Sequence, residues 1–262
     1  MLFGGIDVGA QSVKAVVFDG KEIIGWKLNI TEEAADTAAR IVFQELLDDL
    51  GLKREALSRV FSTGWGASAV TFADGRSSEQ VCAARGGRWL FPGARTVVDV
   101  GAEGCRVMKL TAAGAMEDFA NNSKCASGTG SFIELGAVYL KVPIEEMGAL
   151  SLAADGVAEV SSICAVFAES VIISNIHRGE SRQRIAAGIH RSVAIRINEL
   201  IGRMGVVPEI VLLGGTALNA GLVKILEEMV GIPLRLPENP RIVGALGAAI
   251  QASLKKKGKT AP

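Results

Sequence analysis

The sequence predicts an α/β protein in which one structural unit occurs twice. The tetrapeptide Asp-Val-Gly-Ala occurs at 7–10 and again, 92 residues later, at 99–102. Each copy lies between two short apolar runs, which predict a strand, a turn of small residues and a second strand. Strand and helix patterns then follow each copy in a similar order, so we expect two α/β domains around a cleft.

The first domain is predicted to cover residues 1–93, because Pro92-Gly93 interrupts the chain just before the second copy. Apolar runs predict its strands near Leu2–Val8, Val13–Asp19, Glu22–Leu28 and Arg59–Ser62. Helical periodicity predicts its helices near Glu32–Leu50 and Ser78–Leu90.

The second domain is predicted to cover residues 94–262. Its strands are expected near Thr96–Val100, Cys105–Thr111, Ala115–Phe119 and Glu209–Leu213. Its helices are expected near Gly128–Leu140, Cys164–His177, Arg182–Met204, Ala217–Val230 and Val243–Lys256. The last of these helices is also a candidate for packing back on the first domain.

Composition argues against several classes of protein. The 28 basic and 28 acidic residues give a net charge of zero, which argues against charge-driven binding to nucleic acid. No apolar run reaches the ~18–20 residues that a transmembrane helix needs, and the N-terminus lacks the charged start of a signal peptide. We therefore expect a cytoplasmic protein that binds neither nucleic acid nor a membrane. Its four cysteines are then expected to be thiols or metal ligands rather than disulfides.

Each copy of the repeat places an Asp beside a turn that has few large side chains. Backbone N–H groups can approach an anion closely at such a turn, and the carboxylates of Asp7 and Asp99 can hold a hydrated cation. Two such hairpins are typical of a clamp for a magnesium-bound polyphosphate, although Asp-x-Gly also occurs in ordinary hairpins. Lys14 is a candidate phosphate ligand, and a basic residue recurs at Arg106. The candidate phosphate-binding residues of the turns are Gly9, Ala10, Gln11, Ser12, Gly101 and Ala102.

A third glycine-rich element follows the predicted strand Glu209–Leu213. Gly214-Gly215-Thr216 leads into a helix whose first turn is expected to include Asn219. Glycines between a strand and a helix let a base or a sugar pack on the backbone, so these residues are candidates for binding adenosine. Turn geometry alone also explains such glycines. The sequence has no P-loop, Ser/His/Asp or zinc pattern, and its two histidines are expected on helix surfaces or in satisfied core positions.

Two cysteines lie at the starts of predicted helices. Cys125 lies just before the helix near Gly128–Leu140, and Cys164 begins the next one. A helix N-terminus stabilises a thiolate, and it would also stabilise an anionic iron–sulfur cluster that thiolates bind. Two cysteines are too few for a cubane cluster, so a two-fold dimer would have to supply the other two. The alternative is that both are buried free cysteines.

The sequence closely resembles the ATPase activators of 2-hydroxyacyl-CoA dehydratases and the related ATPase subunits of benzoyl-CoA reductase. The resemblance covers nearly the whole chain and is carried by Ile6–Gly9, Asp99–Gly101, Lys124–Gly130, Ser161–Glu169, Gly188–His190 and Gly214-Gly215. The 39-residue separation of Cys125 and Cys164 is its most specific part. It implies a duplicated actin/hexokinase-like (ribonuclease H-like) ATPase fold.

The resemblance also implies an ATP-hydrolysing electron-transfer protein. ATP or ADP would bind with Mg²⁺, whose waters Asp7 and Asp99 would hold, and Gly128 would belong to the cofactor-binding residues. Cys125 and Cys164 from two chains, identical or paralogous, would bind one 4Fe–4S cluster per dimer. The dimer would take an electron from ferredoxin or flavodoxin and pass it to an iron–sulfur dehydratase or reductase that acts on CoA thioesters.

Some positions depart from the family pattern. Ala10 and Gln11 occur where many activators have Ser-Thr, and Glu103 occurs where they often have Gln. Glu103 is therefore a catalytic candidate whose role is open, because a glutamine at that place positions water or metal. The choice between a stand-alone activator and a subunit of a reductase also stays open. Two rival functions are a small-molecule kinase of the same superfamily and a nucleotide-dependent scaffold without redox function.

Overall fold

The chain forms two compact units in the computed structural model. The structure describes residues 1–30, 32–122, 129–160, 165–205 and 207–254, with 165–168 described as backbone alone. Unit 1 contains residues 1–92 and the chain from Arg241 onward, and unit 2 contains Gly93–Pro240. The last described helix therefore lies in unit 1.

Within the described residues, ten strands and eight α-helices form these units. The strands are β1 (Leu2–Val8), β2 (Ser12–Phe18), β3 (Ile23–Ile30), β4 (Leu57–Thr63), β5 (Gly75–Arg76), β6 (Thr96–Val100), β7 (Cys105–Leu110), β8 (Met116–Asn122), β9 (Ile210–Leu213) and β10 (Leu234–Arg235). The helices are α1 (Ala35–Asp49), α2 (Glu79–Leu90), α3 (Gly130–Leu140), α4 (Met147–Leu152), α5 (Ala165–His177), α6 (Arg182–Met204), α7 (Ala220–Val230) and α8 (Val243–Leu254). Among the helices of the described segments, none combines the length and the hydropathy that crossing a membrane requires.

Each unit contains one five-stranded sheet, and the two sheets have the same strand order. The first is β3-β2-β1-β4-β5, and the second is β8-β7-β6-β9-β10. In the first sheet, β1 pairs antiparallel with β2 and parallel with β4. In the second sheet, β6 pairs antiparallel with β7 and parallel with β9. The predicted duplicated α/β fold is confirmed, and the structure adds the parallel pairing of each hairpin with a later strand.

The sheet of unit 1 is covered by helices on both faces. Alternate side chains of β1, such as Ile6 and Val8, pack with the buried stripe of α1. On the other face, α8 packs directly on the strand backbone, since a Cβ at Gly5 would lie only 1.9 Å from the carbonyl oxygen of Ala245. Glycine at position 5 is therefore what allows β1 and α8 to touch.

The core of unit 2 lies between its sheet and a layer of helices. Helix α6 begins with a Ser181 cap, whose side chain accepts from the backbone N–H of Arg184. It buries a row spaced four residues apart, which is one face of a helix: Ile185, Ile189, Val193 and Ile197. These residues share a core with α3, α7 and the sheet residues Val98 and Val100.

The structure corrects the sequence-based boundaries at several elements. Helix α1 begins at Ala35, three residues after the predicted start. The predicted helix from Ala217 is instead a 3-10 turn, Gly215–Leu218, followed by α7 from Ala220. Helix α4 and the two-residue strands β5 and β10 were not predicted, because segments this short show no clear hydrophobic period.

Candidate functional site

The first candidate region is the hairpin of β1 and β2. Asp7 lies directly opposite Lys14 across the strand pair, with 4.0 Å between Asp7 Oδ2 and Lys14 Nζ. The turn closes through a 3.0 Å bond from the N–H of Gly9 to the carbonyl of Ser12. Lys14 Nζ donates to that same carbonyl at 3.2 Å, so the ammonium lies over the turn. Ala10 and Gln11 form its exposed tip.

Two glycines enclose the Asp7 carboxylate. Gly64 follows β4, whose last residue Thr63 pairs with Asp7, and its φ of +91° is in the region that favours glycine. A Cβ at Gly64 would lie 2.4 Å from Asp7 Oδ1, and a Cβ at Gly244 would lie 2.8 Å from Asp7 Oδ2. Both carboxylate oxygens therefore need a neighbour without a side chain. Sequence reasoning missed both glycines; the available signal at Gly64 was a glycine directly after a strand.

The second candidate region is the hairpin of β6 and β7. Asp99 lies opposite Arg106, with 3.4 Å between Asp99 Oδ2 and a terminal guanidinium nitrogen. The N–H of Gly101 donates to the carbonyl of Gly104 at 2.8 Å and closes the turn. Gly214 follows β9, has a φ of +87°, and would place a Cβ 3.0 Å from Asp99 Oδ1. The second hairpin thus has the same Asp, cation and left-handed glycine as the first.

In both hairpins, the carbonyl of the residue after the Asp accepts a hydrogen bond from a similar position. The carbonyl of Val8 accepts from the N–H of Gly66 at 3.0 Å. The carbonyl of Val100 accepts from the hydroxyl of Thr216, also at 3.0 Å. Gly66 and Thr216 each lie two positions after the left-handed glycine, so the duplication extends to this contact.

The turn of the second hairpin is also bonded to a helix. The carbonyls of Gly101 and Ala102 accept from the N–H groups of Gly130 and Ser131 at 2.9 and 3.0 Å. These are the first N–H groups of α3, which have no partner inside their own helix. Glu103 is exposed at the tip of this turn. The hairpin therefore holds the start of α3.

The segment from Gly214 to Asn219 combines an exposed glycine with anchored polar side chains. Gly215 is exposed, and a Cβ there would have no atom within 4 Å. The Thr216 side chain is buried and bonded to β6. Asn219 was predicted inside the first turn of the helix, but it is the N-cap of α7 and accepts from Leu222 N at 3.0 Å.

The cysteines predicted as cluster ligands, Cys125 and Cys164, lie outside the described residues, as does Gly128. The other two are buried thiols. Burial raises the pKa of Cys82 to about 11 and the pKa of Cys105 to about 12, so both are protonated at neutral pH. Among the described residues, no three His, Cys, Asp or Glu side chains converge on a possible metal site.

The sheet order and the paired Asp hairpins define an ATPase fold of the actin and hexokinase type. ROK hexokinase from Thermus thermophilus has this fold, with a TM-score of 0.55 over 97% of this chain and 99% of its own, at 19% identity. Residues 5–252 match the BadF/BadG/BcrA/BcrD ATPase family. The chain belongs to this family, which confirms the resemblance that its motifs indicated.

Two relatives give the family a biochemical context. The activator of 2-hydroxyisocaproyl-CoA dehydratase from Clostridium difficile, solved with bound ADPNP, is 35% identical, with a TM-score of 0.91 over 96% of this chain and 94% of its own. One of the subunits of benzoyl-CoA reductase from Thauera aromatica is 37% identical over 258 residues, which cover 94% of this chain and 91% of the relative. The described hairpins thus belong to a chain similar, over nearly its whole length, to a nucleotide-binding activator.

Proposed function

We propose that this protein hydrolyses ATP to drive a low-potential electron into a partner enzyme that acts on CoA thioesters, either a 2-hydroxyacyl-CoA dehydratase or a benzoyl-CoA reductase. The observation that carries the proposal is the duplicated arrangement of Asp, cation and left-handed glycine around two short turns. It occurs in a member of an ATPase family whose relatives include a dehydratase activator and a component of a reductase.

Asp7 and Asp99 are the proposed holders of magnesium-bound water. Mg²⁺ keeps several waters and prefers carboxylate oxygen, and the side chains of Asp7 and Asp99 are 18% and 21% exposed, which leaves them accessible to such waters. Lys14, partly buried beside Asp7, is the proposed phosphate ligand of the first turn. Gly9 and Gly101 close the two turns with their own N–H groups, Gly9 by donating to the carbonyl of Ser12. The remaining backbone N–H groups of the turns, including those of Ala10 and Ala102, would bind phosphate oxygen.

The remaining nucleotide contacts are assigned by position. Glu103 lies at the exposed tip of the second turn, where a carboxylate would orient the attacking water. The exposed Gly215, between Gly214 and Thr216, offers bare backbone to adenosine. Thr216 and Asn219 would act by holding this backbone rather than by direct contact, because their side chains already bind protein groups.

The proposed electron carrier is one 4Fe–4S cluster per dimer, held by Cys125 and Cys164 of two identical or paralogous chains. Thiolate ligation of this kind supplies a one-electron centre. The bonds between the second turn and α3 support a link from nucleotide to cluster segment. Because the turn that follows Asp99 holds the first N–H groups of α3, a phosphate-dependent shift of that turn would move the start of α3. Ferredoxin or flavodoxin is the proposed electron donor.

Substitution of the two aspartates tests the nucleotide part of the proposal. Asp7→Asn and Asp99→Asn should each lower ATP hydrolysis by about 100-fold or more, since an amide holds the cation and its water poorly. Asp118→Asn, at an exposed position of β8, is the matched control and should hydrolyse ATP like the wild type. Steady-state phosphate release measures all three; unchanged rates in both active-site variants would reject the assignment.

Iron analysis with light scattering, both without oxygen, tests the redox part. The protein should be a dimer with about four irons per two chains. Cys125→Ala and Cys164→Ala should each remove iron and weaken the dimer, while ADP still binds. A monomer that holds a complete cluster on its own would refute the bridging arrangement.

A further inference from the structure

His190 is a buried histidine with no role in the proposed chemistry. It lies on α6, is 0% exposed, and its pKa is lowered to about 4 by burial. The imidazole is therefore neutral at physiological pH. A neutral imidazole has one nitrogen that donates and one that accepts.

The partner of His190 is the N-cap of α7. Asn219 Nδ2 lies 2.9 Å from His190 Nε2. The other end of the Asn219 amide, Oδ1, accepts from the N–H of Leu222 at 3.0 Å. Because only the amide oxygen can accept that bond, the amide nitrogen must face the histidine and donate to it. His190 Nε2 is therefore the acceptor, and the ring proton lies on Nδ1.

Two glycines lie close to the side chains of His190 and Asn219. A Cβ at Gly221 would lie 3.1 Å from His190 Nδ1, and a Cβ at Gly148 would lie 3.0 Å from Asn219 Oδ1. His190 Nδ1 has no hydrogen-bond partner among the described residues, and a buried donor without a partner costs stability. An aliphatic side chain would fill this place without that cost. What the imidazole adds is the bond to Asn219.

Asn219 lies at the end of the segment that begins beside Asp99, at Gly214. It ends the 3-10 turn Gly215–Leu218 and begins α7. That turn starts after Gly214, where a Cβ would lie 3.0 Å from Asp99 Oδ1, and the Thr216 hydroxyl bonds it to β6. If the Asn219 amide turned over, its Nδ2 would face the N–H of Leu222, and the cap would be lost. A fixed amide therefore fixes the turn.

We infer that His190 is a positioning residue for nucleotide binding: by accepting from Asn219 Nδ2 it holds the Gly214–Asn219 segment in the shape that borders the adenosine. The inference rests on the proposed function, which assigns this segment to the nucleotide. It predicts that loss of the imidazole acceptor weakens nucleotide affinity and leaves the hydrolytic step, which depends on Asp7 and Asp99, intact.

Two substitutions at position 190 separate the acceptor from the bulk of the ring. In His190→Gln, the amide oxygen can occupy the place of Nε2 and accept from Asn219; in His190→Leu, nothing can. Titration calorimetry of the anaerobically purified full chain with Mg·ADP should show about tenfold weaker binding for the Leu variant and near wild-type binding for Gln. The KM for ATP should rise by a similar factor in the Leu variant, with kcat within about twofold of the wild type.

His177→Leu is the matched control, because it removes the other histidine of the chain from an exposed helix position. It should bind Mg·ADP like the wild type. A wild type that binds no Mg·ADP would refute the proposed function itself. Wild-type binding that the Leu variant retains in full would refute the role of His190 alone.

A ¹⁵N spectrum of the histidine side chains covers the case in which the Leu variant does not fold. The His177→Leu protein gives the signals of His190 alone, since the chain has two histidines. These should show a proton on Nδ1 and an accepting Nε2, and the Nε2 signal should shift when Mg·ADP binds. A proton on Nε2, or a spectrum that Mg·ADP leaves unchanged, would overturn the inference.

Discussion

The Asp7 and Asp99 hairpins have the same strand directions, the same opposed cation and the same left-handed glycine, but they are fastened to different parts of the protein. In unit 1, the carboxylate lies against Gly244 at the start of α8 as well as Gly64. In unit 2, the carbonyls of the turn hold the first N–H groups of α3. One hairpin is enclosed by glycines, and the other is bonded to a helix.

The difference shows how a duplicated geometry can acquire two roles. Under the proposed function both carboxylates hold magnesium-bound water, so each unit would contribute a similar binding element. Only the second turn, among the contacts described for the two hairpins, is bonded to a helix that follows a proposed cluster ligand. Under the proposed function, both hairpins sense the nucleotide, and the second one transmits its state.

The strongest test of the equivalence replaces the two left-handed glycines. Gly64→Ala and Gly214→Ala should each cost about 3 kcal/mol of stability, because strain at positive φ adds to a clash with neighbouring backbone and carboxylate. Each should lower ATP hydrolysis by about 100-fold through displacement of its Asp. Urea unfolding and phosphate release measure the two effects.

Matched controls for this test exist in each unit. Gly51 and Gly231 also have positive φ, but a Cβ at either would meet nothing within 4 Å. Alanine at these positions should cost only about 1 kcal/mol and leave hydrolysis near the wild-type rate. If Gly64→Ala behaved like Gly51→Ala while Gly214→Ala did not, the two hairpins would not be equivalent.

Mild acid should lower the stability of unit 2 through its histidines, because both histidines of the chain lie in that unit. Burial holds the pKa of His190 near 4, below its ordinary value of 6.5. As pH falls below 6.5, His190 becomes protonated in the unfolded chain but stays neutral in the folded chain. The free energy of unfolding therefore declines by up to about 3 kcal/mol, and this decline ends near pH 4. Unfolding midpoints from pH 7 to pH 4 should fall less in His190→Gln than in the wild type; parallel curves would contradict this.

A smaller effect tests the link between the second turn and α3. Ser131→Pro removes the N–H that donates to Ala102, at the second residue of α3, where proline is tolerated. Electron delivery per ATP hydrolysed should fall about fivefold, the value of one hydrogen bond, with hydrolysis itself within about twofold. Gln183→Pro, at the second residue of α6, is the control and should leave the ratio unchanged. An unaltered ratio in Ser131→Pro would reject the link.

The smallest effect is expected at the two buried thiols. Cys82→Ala in unit 1 and Cys105→Ala in unit 2 should leave iron content unchanged, because burial raises the pKa of each thiol and disfavours the thiolate that binds iron. Iron analysis of protein purified without oxygen measures this directly. Loss of iron from either variant would show that the cluster ligands were wrongly chosen.

Local sequence pattern was enough to predict the two hairpins of the candidate site. The same tetrapeptide, Asp-Val-Gly-Ala, occurs in both hairpins, and apolar runs on either side of each copy predict the strands. The opposed pairs Asp7–Lys14 and Asp99–Arg106 follow from short hairpins, in which register depends on the turn.

The parts that sequence reasoning missed depend on contacts between distant segments. Gly64 reaches Asp7 only because β4 pairs in parallel with β1, and Gly244 reaches it from the start of the last helix. A single sequence carries no local signal for such pairings. The role of His190 was missed for the same reason, since its bond joins α6 to the N-cap of α7.

The contact between Gly5 and Ala245 has a consequence for the order of folding during synthesis. Strand β1 is synthesised before Gly93–Pro240, yet the helix that covers one of its faces is synthesised only after the whole of that segment. At a synthesis rate of about 5–20 residues per second, the delay between the synthesis of β1 and that of α8 is on the order of ten seconds. Unit 2 is continuous in sequence and can complete its core during that delay. Of the two units, the one whose first strand is made earlier is therefore the later to close.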